Sequence, residues 1–184
     1  NVDYYSLTEN TWTTLPKVKE LSEDGVGILY GDIIYVVSQD QSQRVVGYDT
    51  KNNSVVTNLK DANSLRFRCG AVLHNNLIYM IGGYVRDCRK KASDAIETYN
   101  IDLNKWSLNA DLRESRHKHG VASFDGKLYC VGGFGTSGIL QTLEVYDVQK
   151  NVCNLRNDMP TPKYAFGCVN DDSDLYCLGG YDSG

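Results

Sequence analysis

Short apolar runs bounded by Asn, Asp, Gly and Ser recur along the whole chain, the pattern of many short strands joined by tight turns and of almost no helix. Four of these runs superimpose without gaps: IIYVVSQ around Tyr35, LIYMIGGY around Tyr79, KLYCVGGF around Tyr129 and DLYCLGGY around Tyr176. Their tyrosines lie 44, 50 and 47 positions apart. A second landmark interleaves with the first. Tyr5, Tyr48, Tyr99 and Tyr146 are each followed seven residues later by Trp12, Val55, Trp106 and Cys153, with Asn10, Asn53, Asn104 and Asn151 at one common offset. Two independent landmarks that share one period of roughly 50 residues mark a repeat architecture.

Hairpin arithmetic predicts the interior of one unit. If Tyr99 pairs with Trp106, then Asn100 faces Lys105, and Ile101 to Asn104 form a four-residue loop. The Asn that closes each loop is a residue type that tolerates positive φ. Upstream, Gly31-Asp32, Asn75-Asn76, Asp125-Gly126 and Asp172-Ser173 hold one equivalent position between two apolar runs and suit two-residue turns. Each unit thus holds four short strands, such as Gly120 to Phe124, Lys127 to Gly132 and Leu143 to Asp147, with Asn104 to Leu108 closing the unit before. Such a sheet cannot bury both faces alone. Units must stack, and radial stacking of four-stranded sheets gives an all-β propeller over residues 1–184.

Gly82-Gly83, Gly132-Gly133 and Gly179-Gly180 follow an apolar strand, and Tyr-x6-Trp lies downstream. On these residues the chain resembles the kelch repeat family, and more narrowly the kelch domain of kelch-like adaptors that also carry BTB and BACK segments. The first unit departs from the pattern, with Ser38-Gln39 in place of the diglycine, and Val55 and Cys153 replace Trp. About four blades are present, counting one unit divided between the two ends of the chain. The Tyr5 and Tyr176 hairpins could close a four-bladed ring on each other. The resemblance implies six blades and therefore a part of a larger propeller. It also implies a protein-binding module without catalysis: the substrate-recognition domain of a cullin-type ubiquitin ligase adaptor, or alternatively an actin-binding scaffold. A propeller oxidase is a remote third reading, because the tyrosines it would need as ligands occupy repeating structural positions.

Composition narrows the partners. Nineteen basic against 23 acidic residues give a net charge of −4, which supplies no global field for nucleic acid or an anionic membrane. No apolar run approaches the roughly 18 residues of a membrane span, and no cysteine-rich framework or basic-then-apolar leader is present, so a cytoplasmic setting is expected. Cys130 and Cys177 share one strand position, and Cys69 and Cys168 fall in the preceding strand as small buried hydrophobes. Cys88 differs, lying beside Arg86, Arg89, Lys90 and Lys91, cations that lower a thiol pKa and make it a candidate redox thiol. These four cations read as a solvated loop or, alternatively, as a contact for an acidic peptide. Asn52-Asn53-Ser54 forms a glycosylation sequon that matters only in a secreted chain. His117 and His119 alternate on a presumed strand, but no acidic residue stands at a supporting spacing, so neither a metal nor another cofactor is expected.

One set of polar positions has no evident structural duty. Arg66, Arg116 and Lys163 stand four residues before Gly70, Gly120 and Gly167, with Ser22 at the equivalent place in the first unit. In kelch-like adaptors the similar arginine points into the ligand-binding bowl, and the aromatic after the diglycine lines it, here Tyr84, Phe134 and Tyr181. Arg66, Arg116, Lys163, Ser22, Tyr84, Phe134 and Tyr181 are therefore the expected contacts for a protein or peptide ligand of acidic or turn-forming character.

Overall fold

Alternation of apolar residues on both faces of each central strand decides the architecture. The computed structural model describes residues 2–16, 18–20, 24–37, 45–56, 58–85 and 91–182. Every regular element among them is a strand. The chain opens on a hairpin of β1 (Val2–Ser6) and β2 (Thr11–Leu15). A first four-stranded sheet follows from β3 (Val26–Tyr30), β4 (Ile33–Val37), β5 (Val46–Asp49) and β6 (Ser54–Val56).

The short β7 (Arg66–Phe67) leads into a second sheet begun by β8 (Gly70–His74) and β9 (Leu77–Ile81). β10 (Tyr84–Val85) and β11 (Lys91–Ala92) then leave it to form a ribbon with β7, and β12 (Ile96–Asn100) and β13 (Lys105–Leu108) complete the sheet. The third repeats the plan with β14 (Gly120–Phe124), β15 (Lys127–Val131), the small hairpin β16 (Phe134–Gly135) and β17 (Gly138–Ile139), then β18 (Leu143–Asp147) and β19 (Val152–Leu155). A last hairpin joins β20 (Gly167–Asn170) to β21 (Leu175–Leu178). Each complete sheet is an antiparallel meander, and the first strands of successive units, β3, β8, β14 and β20, touch in series. This is the blade order of a propeller. The hairpins β1–β2 and β20–β21 remain separate two-stranded sheets, so they do not close a four-bladed ring on each other.

The core lies between sheets. In β9, Ile78 and Met80 join one apolar cluster with Tyr35, Tyr99 and Trp106, while Tyr79 and Ile81 join the next with Leu128, Tyr146 and Cys153. A third cluster seats Val18 against Val46 and Tyr48. The predicted pairs hold: Tyr5 faces Trp12, Tyr48 faces Val55, Tyr99 faces Trp106 and Tyr146 faces Cys153. Asn10, Asn53, Asn104 and Asn151 all adopt positive φ, between 49° and 55°. Each side chain does a second task. The Tyr99 and Tyr146 hydroxyls donate to Asn104 and Asn151 at 2.8 Å, and the same Oδ1 atoms accept from the backbone of Lys60 and Ala110 of the preceding unit's outgoing chain. Burial pushes both phenols up to about 12, so they stay protonated donors.

The repeated hairpin therefore locks one blade to its neighbour. Trp106, 7% exposed, donates from Nε1 to Lys60 O at 2.9 Å, whereas Trp12 in the opening hairpin is 72% exposed. Among the described residues no helix is long and apolar enough to cross a membrane. Replacing Trp106 by Ala should cost about 3–5 kcal/mol in urea unfolding. The same change at Trp12 should cost less than about 1 kcal/mol in this chain, and equal losses would contradict the interblade role.

Candidate partner-binding rim

Antiparallel pairing places the start of each first strand beside the end of the second, as Gly70 beside Ile81 and Gly120 beside Val131. The predicted cations and diglycines thus meet at one end of the second, third and last units. Their roles differ from the expectation. Arg116 is 0% exposed and Arg66 2%. Arg116 donates to Gly132 O at 2.7 Å, Thr142 O at 3.2 Å, Thr142 Oγ1 at 3.0 Å and Glu144 Oε1 at 2.8 Å. Arg66 donates to Gly82 O, to Ala95 O at 2.8 Å and to Glu97 Oε1 at 2.6 Å.

Both guanidinium groups are thus internal braces between the diglycine loop and the third strand, not cations displayed to a ligand. A buried charge persists only when paired and hydrogen-bonded, and here each carboxylate is also capped, Glu97 by Asn63 N and Glu144 by Arg113 N. Sequence reasoning missed Glu97 and Glu144. Their signal was available: both stand two residues before the repeat tyrosine, where the first unit, with Ser22 for the arginine, carries Val46. Lys163 is half-buried, and its carbonyl accepts from Gly133 N at 2.8 Å. Ser22, Cys88, Arg86, Arg89 and Lys90 lie outside the described residues, while Lys91 is exposed on β11.

The diglycines are sites of close approach. Gly82 and Gly83 have φ of 60° and 106°, and a Cβ on Gly82 would lie 2.4 Å from Arg116 O. Gly83 N donates to that same carbonyl at 2.8 Å, joining one blade to the next. A second set of links had no signature in residue type. Asp24, Arg68, Lys118 and Ala165, each two residues before a first strand, adopt φ between 52° and 59°. Lys118 N donates to Arg68 O at 2.9 Å and Ala165 N to Lys118 O at 2.8 Å, a belt of hydrogen bonds running from blade to blade. Arg68 also pairs with Asp24 at 3.0 Å.

What the rim displays is aromatic. Phe67, Tyr84, His117, Phe134, Tyr164 and Tyr181 form one continuous ladder with ring centroids 5.2, 5.2, 5.7, 5.7 and 5.5 Å apart. Within each blade a bridge pairs the ring after the diglycine with the ring three residues before the strand glycine. The sequence reading named Tyr84, Phe134 and Tyr181, and the structure brings them together. Their alternates Phe67, His117 and Tyr164 escaped it, although their common offset was legible. Exposure reaches 38% at Phe134 and 65% at Tyr181. The Lys118 ammonium lies 5.4 Å from the Tyr164 ring centre.

The positive φ of Lys118 breaks strand alternation, so the two flanking histidines do not act as a pair. His117 enters the ladder, while His119 is buried beside Gly70 and Gly82, its ring nitrogens without a protein partner. No group of three or more potential ligands is placed to hold a metal among the described residues.

Stacked meander blades that share an aromatic rim define a β-propeller. The Kelch motif matches residues 65–112 and 115–160, and the chain belongs to that family. It is 28% identical over 138 residues to "Kelch repeat and BTB domain-containing protein 1" of cowpox virus (strain Brighton Red), covering 72% of this chain and 24% of the relative. Human "Kelch-like protein 28" is 30% identical over 99 residues, 51% of this chain and 17% of that protein. The chain thus spans about a quarter or less of the length of these relatives. Among solved structures, "Structure of YjhT" superimposes with a TM-score of 0.79 over 90% of this chain and 60% of that one, at 15% identity, a likeness of fold.

Removing one partner of a buried ion pair strands the other, so Arg116→Ala should lower unfolding free energy by about 3–5 kcal/mol. Denaturant titration checks this, and a loss under 1 kcal/mol would return Arg116 to the surface. A second expectation concerns acid. Burial first, then Lys118 and Arg68, pushes His117 down to about 4, and burial holds His119 well below its usual range. The unfolded chain takes up these protons near pH 6.5 while the folded chain refuses them, so stability falls as pH drops from about 6.5 toward 4. Urea midpoints should fall between pH 7 and 5. The double variant His117→Tyr with His119→Phe, which installs the residues of the next unit, should flatten that fall.

Proposed function

We propose that this chain is the partner-recognition module of a larger kelch propeller and holds an extended or turn-forming protein segment along its aromatic rim. The continuous ladder of six rings across three blades is the observation that carries this reading. Aromatic side chains offer wide contact area at little conformational cost, and hydrogen-bonded backbone already fixes these rings before a partner arrives. Lys118 beside Tyr164 gives the rim a preference for acidic segments. Relatives named for kelch repeats and a BTB domain support an interaction role, and within it the substrate-recognition part of a cullin-type ubiquitin ligase adaptor. Binding rests on the rings and Lys118, with Lys163 at the rim's edge. Arg66 and Arg116 contribute by holding the loops beneath them.

The deciding experiment has two parts. The longer protein containing this chain should retain a cullin, and Phe134→Ala and Tyr181→Ala should each weaken capture of its target about 5- to 150-fold, with little change in thermal midpoint. Retention of filamentous actin without a cullin would replace the adaptor reading by a cytoskeletal one. Undiminished target capture by both variants would move the site off the rim.

A further inference from the structure

We propose that Cys168 and Cys177 form a reversible cross-strand disulfide, which makes the β20–β21 hairpin an oxidation site. The two residues are direct register partners. Asp171 N donates to Asp174 O at 3.1 Å, and strict alternation from that bond makes the cysteines a non-hydrogen-bonded pair. In such pairs the Cα atoms lie about 4.5 Å apart, inside the roughly 4.4–6.8 Å that a disulfide spans. Their side chains share one face, with the thiols within hydrogen-bonding reach of each other. Both are free.

The chemistry assigns the order of events. Burial pushes the Cys168 thiol up to about 12; burial also raises Cys177, but its contact with the Cys168 thiol and then nearby Lys163 draw it back. Cys177 is therefore the attacking thiol. With a peroxide as oxidant, its sulfur bonds one peroxide oxygen, the O–O bond breaks, and the leaving hydroxide takes the thiol proton as water. The Cys168 sulfur then displaces hydroxide from the sulfenic acid, closing the S–S bond and releasing a second water. With a glutathione disulfide, exchange through a mixed disulfide gives the same product and two glutathione thiols. Thiol reductants should reopen the bond by exchange. Because β21 runs directly into Gly179, Gly180 and Tyr181, the link sits in the hairpin that carries the last ring of the ladder.

Peptide mapping of the intact folded chain tests this. After treatment with hydrogen peroxide or oxidised glutathione, remaining thiols are alkylated under denaturing conditions and the chain is digested with trypsin. Residues Tyr164 to Gly184 contain no Lys or Arg, so both cysteines fall in one peptide. Most of that peptide should escape alkylation at both positions and be lighter by two hydrogens, and dithiothreitol should restore both thiols. Cys168→Ser and Cys177→Ser should each abolish the loss. Cys130 competes, since the Cys168 sulfur packs 3.0 Å from where a Gly120 Cβ would stand, in the face of the adjoining blade. Cross-linking of this peptide to the one bearing Cys130, a stable glutathione adduct on one cysteine, or full alkylation of both would each overturn the proposal.

Discussion

Every complete sheet in this protein is apolar on both faces, and burying both requires a neighbour on each side. That requirement organises everything else. It makes β9 a fully apolar strand whose residues feed two different cores in alternation, and it places tyrosines of successive blades against each other, as Tyr35 with Tyr99 and Tyr79 with Tyr146. It also explains why the deviant first unit is tolerated. Val55 replaces Trp there without breaking the hairpin, because register is still held by Tyr48 and by the left-handed Asn53.

Stacking leaves polar backbone buried at the blade ends, and the structure satisfies it with side chains from within. The Arg66–Glu97 and Arg116–Glu144 pairs cap carbonyls of the diglycine loops while each carboxylate accepts from the incoming chain. Neither member of such a pair is tolerable alone in a dry interior. The first unit fits this rule, with Ser22 and Val46 at the two positions. Buried charge therefore serves the rim indirectly, holding rigid the loops on which its aromatic residues stand.

Two kinds of chemistry meet at the last hairpin. Its register pairs two thiols on one face, and the glycines that follow carry Tyr181 to the most exposed position of the ladder. In the third blade the cysteine at the same strand position, Cys130, is buried, and the second blade has Met80 there, so among the described residues the last hairpin pairs two cysteines in register. The proposed recognition rim and the proposed oxidation site thus adjoin in the fold, although they rest on independent observations.

The repeat, the two hairpins of each unit and their turns were legible in the sequence because they depend on local chemistry. Residues such as Asn104 and Gly31 announce the backbone they adopt, and period-two apolar runs announce a strand. Strand limits shifted by at most one residue, β15 ending at Val131 and β13 starting at Lys105. The kelch resemblance carried Tyr84, Phe134 and Tyr181 to the rim, yet it also sent Arg66 and Arg116 into open space, where the structure buries them. Charge alone does not say whether a guanidinium meets solvent or a carboxylate from a strand about 30 residues away. Likewise nothing in Arg68, Lys118 or Ala165 advertises positive φ, a conformation that accompanies hydrogen bonds from Lys118 N and Ala165 N to carbonyls of adjoining blades. What the sequence determined by itself was the repeating unit; where each unit's charged and aromatic side chains came to rest was decided by the stacking of blades, because those contacts join segments that no local pattern connects.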